Sequence, residues 1–224
     1  MCGRYTLAVQ LDEVAERFLC SKANQQMKAR YNVAPTQIMP VVLERNGQRQ
    51  LEMMQWGLVP FWAKDRSMGS KLINARLETL EEKASFKYAV RERRCLIPAD
   101  GYYEWQKTKD GKQAVRIIMP TKQLFAFAGL WEQWSNPNGE ILHSYTILTT
   151  IPVPSLAHIH DRMPLILERD QEDYWLHGFN GKSAAEARLF LKQLKSVNDV
   201  IAYPVSNRVN SPKNDDPQCI EPID

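Results

Sequence analysis

Short apolar runs separated by glycine-containing turns constrain the fold of this chain more than any other feature. The pairs Asn46-Gly47, Asp110-Gly111 and Asn138-Gly139 each stand between two such runs. Asn-Gly and Asp-Gly tolerate positive φ and are typical of the tight turn of a β-hairpin. Because a hairpin joins neighbouring antiparallel strands, these turns predict that the middle of the chain is mostly antiparallel sheet.

The strand pattern extends well beyond those turns. Apolar and aromatic runs bounded by turn residues recur in RRCLIPADGYYEW, AVRIIM, LFAFAGLWEQW, SYTILTT, PLILE and VIAYPVS. Runs of this length and composition predict strands.

A smaller number of segments carry the periodicity or capping residues of a helix. These are residues 11–20, residues 171–177 between a candidate N-cap Asp170 and Gly178, residues 184–195 after the capping-box pair Ser183 and Glu186, and the segment ETLEEKASFKYAVRERR. The polar stretch PFWAKDRSMGSK predicts a surface loop, and the tail from about residue 211 is expected to be extended or disordered. No repeat or linker divides the sequence, so residues 1–224 predict one α+β domain.

Composition excludes several classes of protein. No run of about 18 apolar residues is present and no secretory signal precedes the first predicted strand, so we expect a cytoplasmic protein without membrane contact. The four cysteines Cys2, Cys20, Cys95 and Cys219 are widely spaced, which argues against zinc sites and disulfides. The sequence lacks the common nucleotide, dinucleotide and hydrolase motifs, and we expect no cofactor and no metal. A net charge of +3 does not decide whether nucleic acid binds.

Cys2 is the first candidate for chemistry. A small second residue permits removal of Met1, which would leave the Cys2 thiol and α-amine on adjacent carbons. Their reference pKa values are about 8.5 and about 7.7–8.0, so both nucleophiles are partly available near neutral pH. An aldehyde would form an imine with the amine, and the thiol would then close a five-membered thiazolidine ring. The alternative is that residue 2 is simply small.

Three further groups are candidates. Glu104 stands among aromatic residues, where desolvation would raise its pKa, although it can equally occupy an outward strand position. His160 precedes Asp161 and Arg162; its spacing from His158 permits a shared strand face, but no third metal ligand is recognisable. Asn74 and Arg76 alternate with apolar neighbours, which places an amide and a guanidinium on one face of a strand.

Basic and aromatic residues could together bind single-stranded nucleic acid. The arginines in motif-like or turn-rich settings are Arg4, Arg30, Arg76, Arg162 and Arg208, and the candidate stacking residues are Trp56, Trp62 and Trp105. For most of these residues taken singly, we favour a solvated charge or a core aromatic over a role in binding.

Six segments taken in order, MCGRY, RYNVAP, WGLVP, LINARLET, CLIPADGYYEW and HDRMP, resemble the SRAP family of SOS response-associated peptidases or abasic-site processing proteins. The resemblance runs from residue 1 to about residue 210. It implies a compact, largely β fold with a basic cleft for single-stranded DNA and a mature N-terminal cysteine that joins covalently to the aldehyde of an abasic site. The complete expectation is a single compact α+β domain of mainly antiparallel, barrel-like sheet with a few flanking helices.

The same resemblance implies roles for individual residues. Cys2 would be the nucleophile, and Asn74, Glu104 and His160 would complete the active site. Arg4, Arg76 and Arg162 would contact phosphates, whereas Asn32, Pro35 and Trp62 would meet the bases. Ala63 departs from the second aromatic residue that family members often carry after the position of Trp62.

These observations predict a monomeric DNA-repair protein that crosslinks abasic single-stranded DNA and associates with the nucleoid after damage, with replication or repair proteins as candidate partners. An N-terminal-nucleophile peptidase that removes its own Met1 and a noncatalytic single-strand binding module are alternative hypotheses. Abasic lyase activity is a further hypothesis, because the same imine permits β-elimination.

Overall fold

The structure is a computed structural model that describes residues 2–21, 26–178 and 182–223. Met1, whose removal we expect, lies outside these residues. The strands are β1 (Tyr5–Leu7), β2 (Arg30–Val33), β3 (Ile38–Arg45), β4 (Gln48–Trp56), β5 (Asn74–Arg76), β6 (Arg94–Ala99), β7 (Gly101–Thr108), β8 (Gly111–Ile118), β9 (Phe125–Ser135), β10 (Ile141–Thr150), β11 (Met163–Pro164), β12 (Ile166–Leu167) and β13 (Ile201–Pro204). The α-helices are α1 (Leu11–Phe18), α2 (Ala89–Glu92), α3 (Arg169–His177) and α4 (Ala184–Gln193).

Five strands close into a barrel in the order β10-β4-β3-β6-β9, and β9 pairs with β10 to complete the ring. The β4–β10 pair is parallel, whereas the other four pairs are antiparallel. A second sheet has the order β13-β8-β7-β1-β2. The predicted α+β class, with one compact domain of mainly antiparallel sheet, is confirmed.

A cluster of buried aromatic side chains joins the two sheets. The Tyr5 hydroxyl on β1 lies 2.7 Å from the Tyr145 hydroxyl on β10. The Tyr5 ring also meets the rings of Trp56 and Phe127 edge to face, with centroids 5.2 and 5.9 Å apart. Edge-to-face pairs of this kind add to the free energy gained by burial, so they fix β1 against the barrel.

Local sequence signals placed most of the elements correctly. Asn46 and Gly47 have φ values of 53° and 74° in the turn between β3 and β4, which is the conformation that an Asn-Gly hairpin requires. The capping box of α4 is present, with the Ser183 hydroxyl accepting from the Glu186 N–H. Helix α3 starts two residues earlier than expected, so Glu168 rather than Asp170 is its N-cap.

The prediction of a long helix in ETLEEKASFKYAVRERR is wrong. The segment contains part of a 3₁₀ turn (Leu77–Thr79), further turns, and the short helix α2. Its buried residues include Leu80, Phe86 and Val90, and the gap of six residues between the first two does not fit one face of a helix.

The prediction of an extended or disordered tail is also wrong. Within this tail, residues Pro217–Cys219 form a 3₁₀ turn, and Pro222 forms a bridge with Val205. Side chains of β2 hold this segment in place: the Asn32 amide donates to the carbonyls of Ser211 and Asn214 at 3.0 and 2.7 Å. Hydrogen bonds from the core thus order a tail whose composition is polar. Within the described residues, no helix has the length and apolar character needed to cross a membrane.

We expect the substitution Asp215→Ala to destabilise the protein. The Asp215 carboxylate accepts from the N–H groups of Tyr31 and Asn32 at 2.6 and 2.9 Å and pairs with Arg30. Loss of these acceptors should lower the free energy of unfolding by about 1–3 kcal/mol, measured by urea denaturation. Lys213→Ala, an exposed change in the same segment, is the control. Equal stability of the two variants would contradict this assignment.

Candidate active site

Cys2 is buried where the first residues of the chain run beside β7. Tyr5 pairs with Tyr102, and the Tyr103 N–H donates to the Arg4 carbonyl at 3.0 Å, so the pairing of β1 continues towards Cys2. The side chain of Cys2 is 0% exposed, and its Sγ lies 3.7 Å from the Arg4 carbonyl oxygen. Burial raises the pKa of the Cys2 thiol, and the negative charge of Glu104 raises it further. The thiol is therefore held in its neutral form.

Asn74 fixes the main chain of Cys2. Its strand, β5, pairs in parallel with β10, and its Nδ2 donates to the Cys2 carbonyl at 2.7 Å. The Asn74 Oδ1 is buried and accepts no hydrogen bond from the described residues. An unsatisfied acceptor of this kind is costly in an interior, so it is available to a ligand hydroxyl.

Glu104 lies on β7 with 4% of its surface exposed. Burial raises the pKa of the Glu104 carboxyl to about 7, and the charge of Asp161 contributes to the rise. The pairing of β1 with β7, which continues to the Arg4 carbonyl, runs on towards Cys2 and Glu104. Near neutral pH, this carboxyl can both give and accept a proton.

His160 belongs to the loop between β10 and β11. Its Nδ1 lies 2.7 Å from an Asp161 carboxylate oxygen and 3.0 Å from the Arg162 backbone nitrogen. Burial lowers the pKa of the His160 imidazole, and Asp161 opposes that effect. His158 is exposed in a turn, so the two histidines do not share a strand face. Within the described residues, no group of three His, Cys, Asp or Glu side chains is arranged to hold a metal ion.

Of the four residues named from the sequence, Asn74 contacts Cys2 directly. The charge of Glu104 raises the pKa of the Cys2 thiol, and the charge of Asp161, the neighbour of His160, raises the pKa of the Glu104 carboxyl. Asp161 itself was not assigned a role from the sequence, although its position next to His160 was a visible signal.

Several residues that were predicted to contact DNA form hydrogen bonds or ion pairs within the protein. Arg4 Nη1 donates to the Asn32 Oδ1 at 2.8 Å and to the Val209 carbonyl at 2.7 Å. Asn32 is fully buried and also binds the C-terminal segment, so in this conformation it offers no surface to a base. Arg162 pairs with both carboxylate oxygens of Glu78 at 2.8 and 2.9 Å.

Other candidates divide between the surface and the core. Arg76 and Trp62 are exposed, and Pro35 is half-buried in the turn before Thr36. Trp56 is fully buried, which excludes it as a stacking surface. Arg30 and Arg208 form ion pairs with Asp215 and Asp216, at 2.5 and 2.6 Å. Ala63 packs in a small cluster with Val59 and Trp134.

The turn at Pro35 and Thr36 has a strained backbone. Thr36 adopts φ of 73°, a conformation that β-branched residues rarely adopt, and its N–H donates to the Trp56 carbonyl at 2.8 Å. The turn also places Gln37 so that its side-chain oxygen accepts from the Ala34 N–H at 3.1 Å. Neighbouring hydrogen bonds thus hold the backbone beside Pro35 in a conformation that the sequence did not reveal.

Comparison with known proteins finds relatives over almost the whole length of this chain. The abasic site processing protein YoqW of Bacillus subtilis (strain 168) is 42% identical over 224 residues, covering 99% of both chains. The abasic site processing protein HMCES of Gallus gallus is 32% identical over 269 residues, covering all of this chain and 78% of its own length. A crystal structure of a protein from Bacteroides thetaiotaomicron superposes with a TM-score of 0.85 at 25% identity, covering 99% of this chain and 100% of that chain.

The family profile described as SOS response associated peptidase (SRAP) matches residues 1–212, which include every residue of the candidate active site. Together with the nearly full-length relatives, this match shows that the chain belongs to the SRAP family.

Proposed function

We propose that this protein processes abasic sites by binding single-stranded DNA and forming a thiazolidine crosslink through Cys2 as the mature N-terminal residue. The observation that carries the proposal is the contact of Asn74 with the Cys2 carbonyl, beside a buried Glu104 whose pKa is about 7. The relatives YoqW and HMCES are named abasic site processing proteins. A crosslink would shield the lesion from strand cleavage.

The reaction begins with the amine. Once Met1 is removed, the α-amine of Cys2 has a reference pKa of about 7.7–8.0 and is partly neutral near pH 7. It attacks the aldehyde carbon of the open sugar, and loss of one water gives the imine. The thiol then adds to the imine carbon: a C–S bond forms, the C=N π bond breaks, and the nitrogen takes up a proton.

Glu104 moves the protons in these steps. As a carboxyl, it protonates the departing hydroxyl during imine formation. As a carboxylate, it accepts the proton of the thiol, which burial otherwise keeps neutral. A group with a pKa near the working pH can act as both the general acid and the general base.

His160 and Asn74 act on the sugar. The lowered pKa of His160 favours a neutral imidazole, which accepts the proton of the sugar hydroxyl and returns it to the ring oxygen as the ring opens. Asn74 holds the Cys2 carbonyl through Nδ2, while its Oδ1 accepts a hydrogen bond from the substrate. Arg4, Arg76 and Arg162 are the proposed phosphate contacts, and Pro35 and Trp62 the proposed base contacts; a role for Asn32 requires its internal hydrogen bonds to open.

A peptidase that relies on a Cys2 thiolate is less well supported. Thiolate nucleophiles need a lowered pKa, whereas burial and Glu104 raise the pKa of this thiol. Removal of Met1 within the same site is a separate step, and it is tested by whether a Cys2→Ala chain retains Met1 in a host whose aminopeptidase accepts alanine.

The first prediction concerns the covalent product. Incubation with a strand that contains one abasic site should add the mass of the oligonucleotide less one water to a chain that begins at Cys2. Intact mass spectrometry measures this change. Mature Cys2→Ala keeps the amine but cannot close the ring, so its adduct should be captured only with borohydride, and strand cleavage should rise. A stable adduct with Cys2→Ala would exclude the thiazolidine.

The second prediction concerns Asn74. Asn74→Asp loses the donor to the Cys2 carbonyl and adds a negative charge near Glu104, so crosslinking should slow by about tenfold or more, as expected for the loss of a buried hydrogen bond. Single-turnover crosslinking at saturating DNA measures the rate. Ser67→Ala, an exposed change in the loop before β5, is the control, and an unchanged rate in Asn74→Asp would remove Asn74 from the site.

The third prediction concerns pH. If ring closure needs the Glu104 carboxylate, its rate should rise with pH and level off above about pH 7. Glu104→Gln should crosslink slowly and lose this inflection. Closure is followed as the fraction of adduct that borohydride no longer reduces. A rate that falls through pH 7 would assign only the acid role to Glu104.

A further inference from the structure

We propose that Phe61 and Tyr88 form a second base-stacking platform that binds a nucleotide flanking the lesion in single-stranded DNA. This inference rests on the proposed function and extends it to residues that neither the sequence motifs nor the active-site chemistry uses. The platform is defined as the Phe61 and Tyr88 rings with the Lys87 ammonium group.

The two rings are exposed but held in a fixed arrangement. Phe61 is 51% exposed and Tyr88 is 52% exposed. Their ring centroids lie 6.0 Å apart with an interplanar angle of 74°, which is an edge-to-face pair. This geometry is favourable between aromatic rings, so each ring restricts the other even though both face solvent. Little rotamer freedom then remains to be lost when a base stacks.

The backbone that carries Phe61 is anchored on both sides. Phe61 and Trp62 occupy the tip of a turn in which the Ala63 N–H donates to the Pro60 carbonyl at 2.9 Å. Before the turn, the Val59 N–H donates to the Ser144 hydroxyl at 2.8 Å. After it, the Ala63 carbonyl accepts from the Trp134 indole at 2.7 Å. The turn therefore presents two aromatic side chains from a rigid base.

The base of this loop is also tied to the strand that carries Asn74. The Leu58 N–H donates to the Leu72 carbonyl at 3.2 Å, two residues before Asn74. Gly57 has φ of 118° and packs so closely on Gly69 that an added Cβ would lie 2.6 Å from the Gly69 oxygen. Since Asn74 contacts Cys2, the base of the Phe61 loop is connected through the Leu72 backbone to the strand that carries a residue of the proposed active site.

The charge around the platform favours DNA over an apolar protein partner. Lys87 Nζ lies 5.0 Å from the Tyr88 ring centroid. The loop of Phe61 adds the exposed cations Lys64, Arg66 and Lys71, none of which forms an ion pair with a described residue. The one carboxylate in this stretch, Asp65, accepts from the Ser67 N–H at 2.8 Å. Aromatic faces among unpaired cations are the combination that binds bases and phosphates of a single strand.

The test is a thermodynamic cycle in which the two rings are removed from the protein and the bases from the DNA, separately and together. Wild type and Phe61→Ala/Tyr88→Ala are titrated with two fluorescent strands, each carrying a central tetrahydrofuran abasic analogue that cannot crosslink. One strand has normal flanking nucleotides, and the other has tetrahydrofuran at every flanking position, so that phosphates remain and bases are absent. Fluorescence anisotropy gives the Kd of each pair.

We expect the preference of wild type for the strand with bases to shrink by about fivefold or more in the double variant, as for the loss of one stacked base. Phe61→Trp should retain the preference, and Phe61→Leu should not. Ile141→Ala, which shortens another exposed apolar side chain, is the matched control, and thermal denaturation confirms folding of each variant.

The inference is overturned if the double variant keeps the base preference of wild type, which would leave the rings for a protein partner. It is also overturned if affinity falls equally for both strands, since the rings would then act on phosphates or on the fold. Failure of wild type to bind either strand would overturn the proposed function as well, so the two failures are distinguishable.

Discussion

The pairing of β1 between β2 and β7 is the constraint on which the rest of the structure depends. An N-terminal strand at the edge of a sheet would fray, but an interior strand is hydrogen-bonded on both sides. Tyr5 then locks β1 to the barrel through Tyr145. These contacts hold the residue three positions earlier, Cys2, against Asn74 and Glu104. A cysteine close to the start of the sequence thereby gains the positional order of a core residue.

The same burial sets the chemistry of the proposed site. Removing Glu104 and Cys2 from water raises the pKa of both groups, so the site holds protons at neutral pH rather than a ready thiolate. His160 is shifted in the opposite direction, also by burial. Burial raises the pKa of the Glu104 carboxyl to about 7 and lowers that of the His160 imidazole from its usual 6.5, so the carboxyl holds its proton at least as firmly as the imidazole.

Local sequence signals predicted the hairpins, α1 and the capping box of α4, whereas the assignment of the four candidate residues to one site came from the resemblance to the family, and their roles stay a prediction. The expected barrel-like sheet is confirmed, but local signals did not indicate how it closes, because the parallel pair of β4 and β10 joins strands far apart in the chain. Alternation also left the face of Glu104 open, and the structure explains why: Tyr103 and Glu104 are both buried, since β7 is covered on both faces. The hydrogen bonds of Asn32 with the C-terminal segment and the edge-to-face pair of Phe61 and Tyr88 are tertiary contacts that no local sequence pattern encodes.

The C-terminal segment reaches back to the start of the chain: the Val209 carbonyl accepts from Arg4, and the Asn210 side chain accepts from the Trp105 indole at 2.7 Å. Residues separated by about the whole sequence thus meet beside Cys2. During translation, Arg4 and Asn32 emerge long before the carbonyls that hold them. The surroundings of Cys2 are therefore completed only after residues 209–214 have been synthesised, and a nascent chain that ends before them carries the cysteine without these contacts.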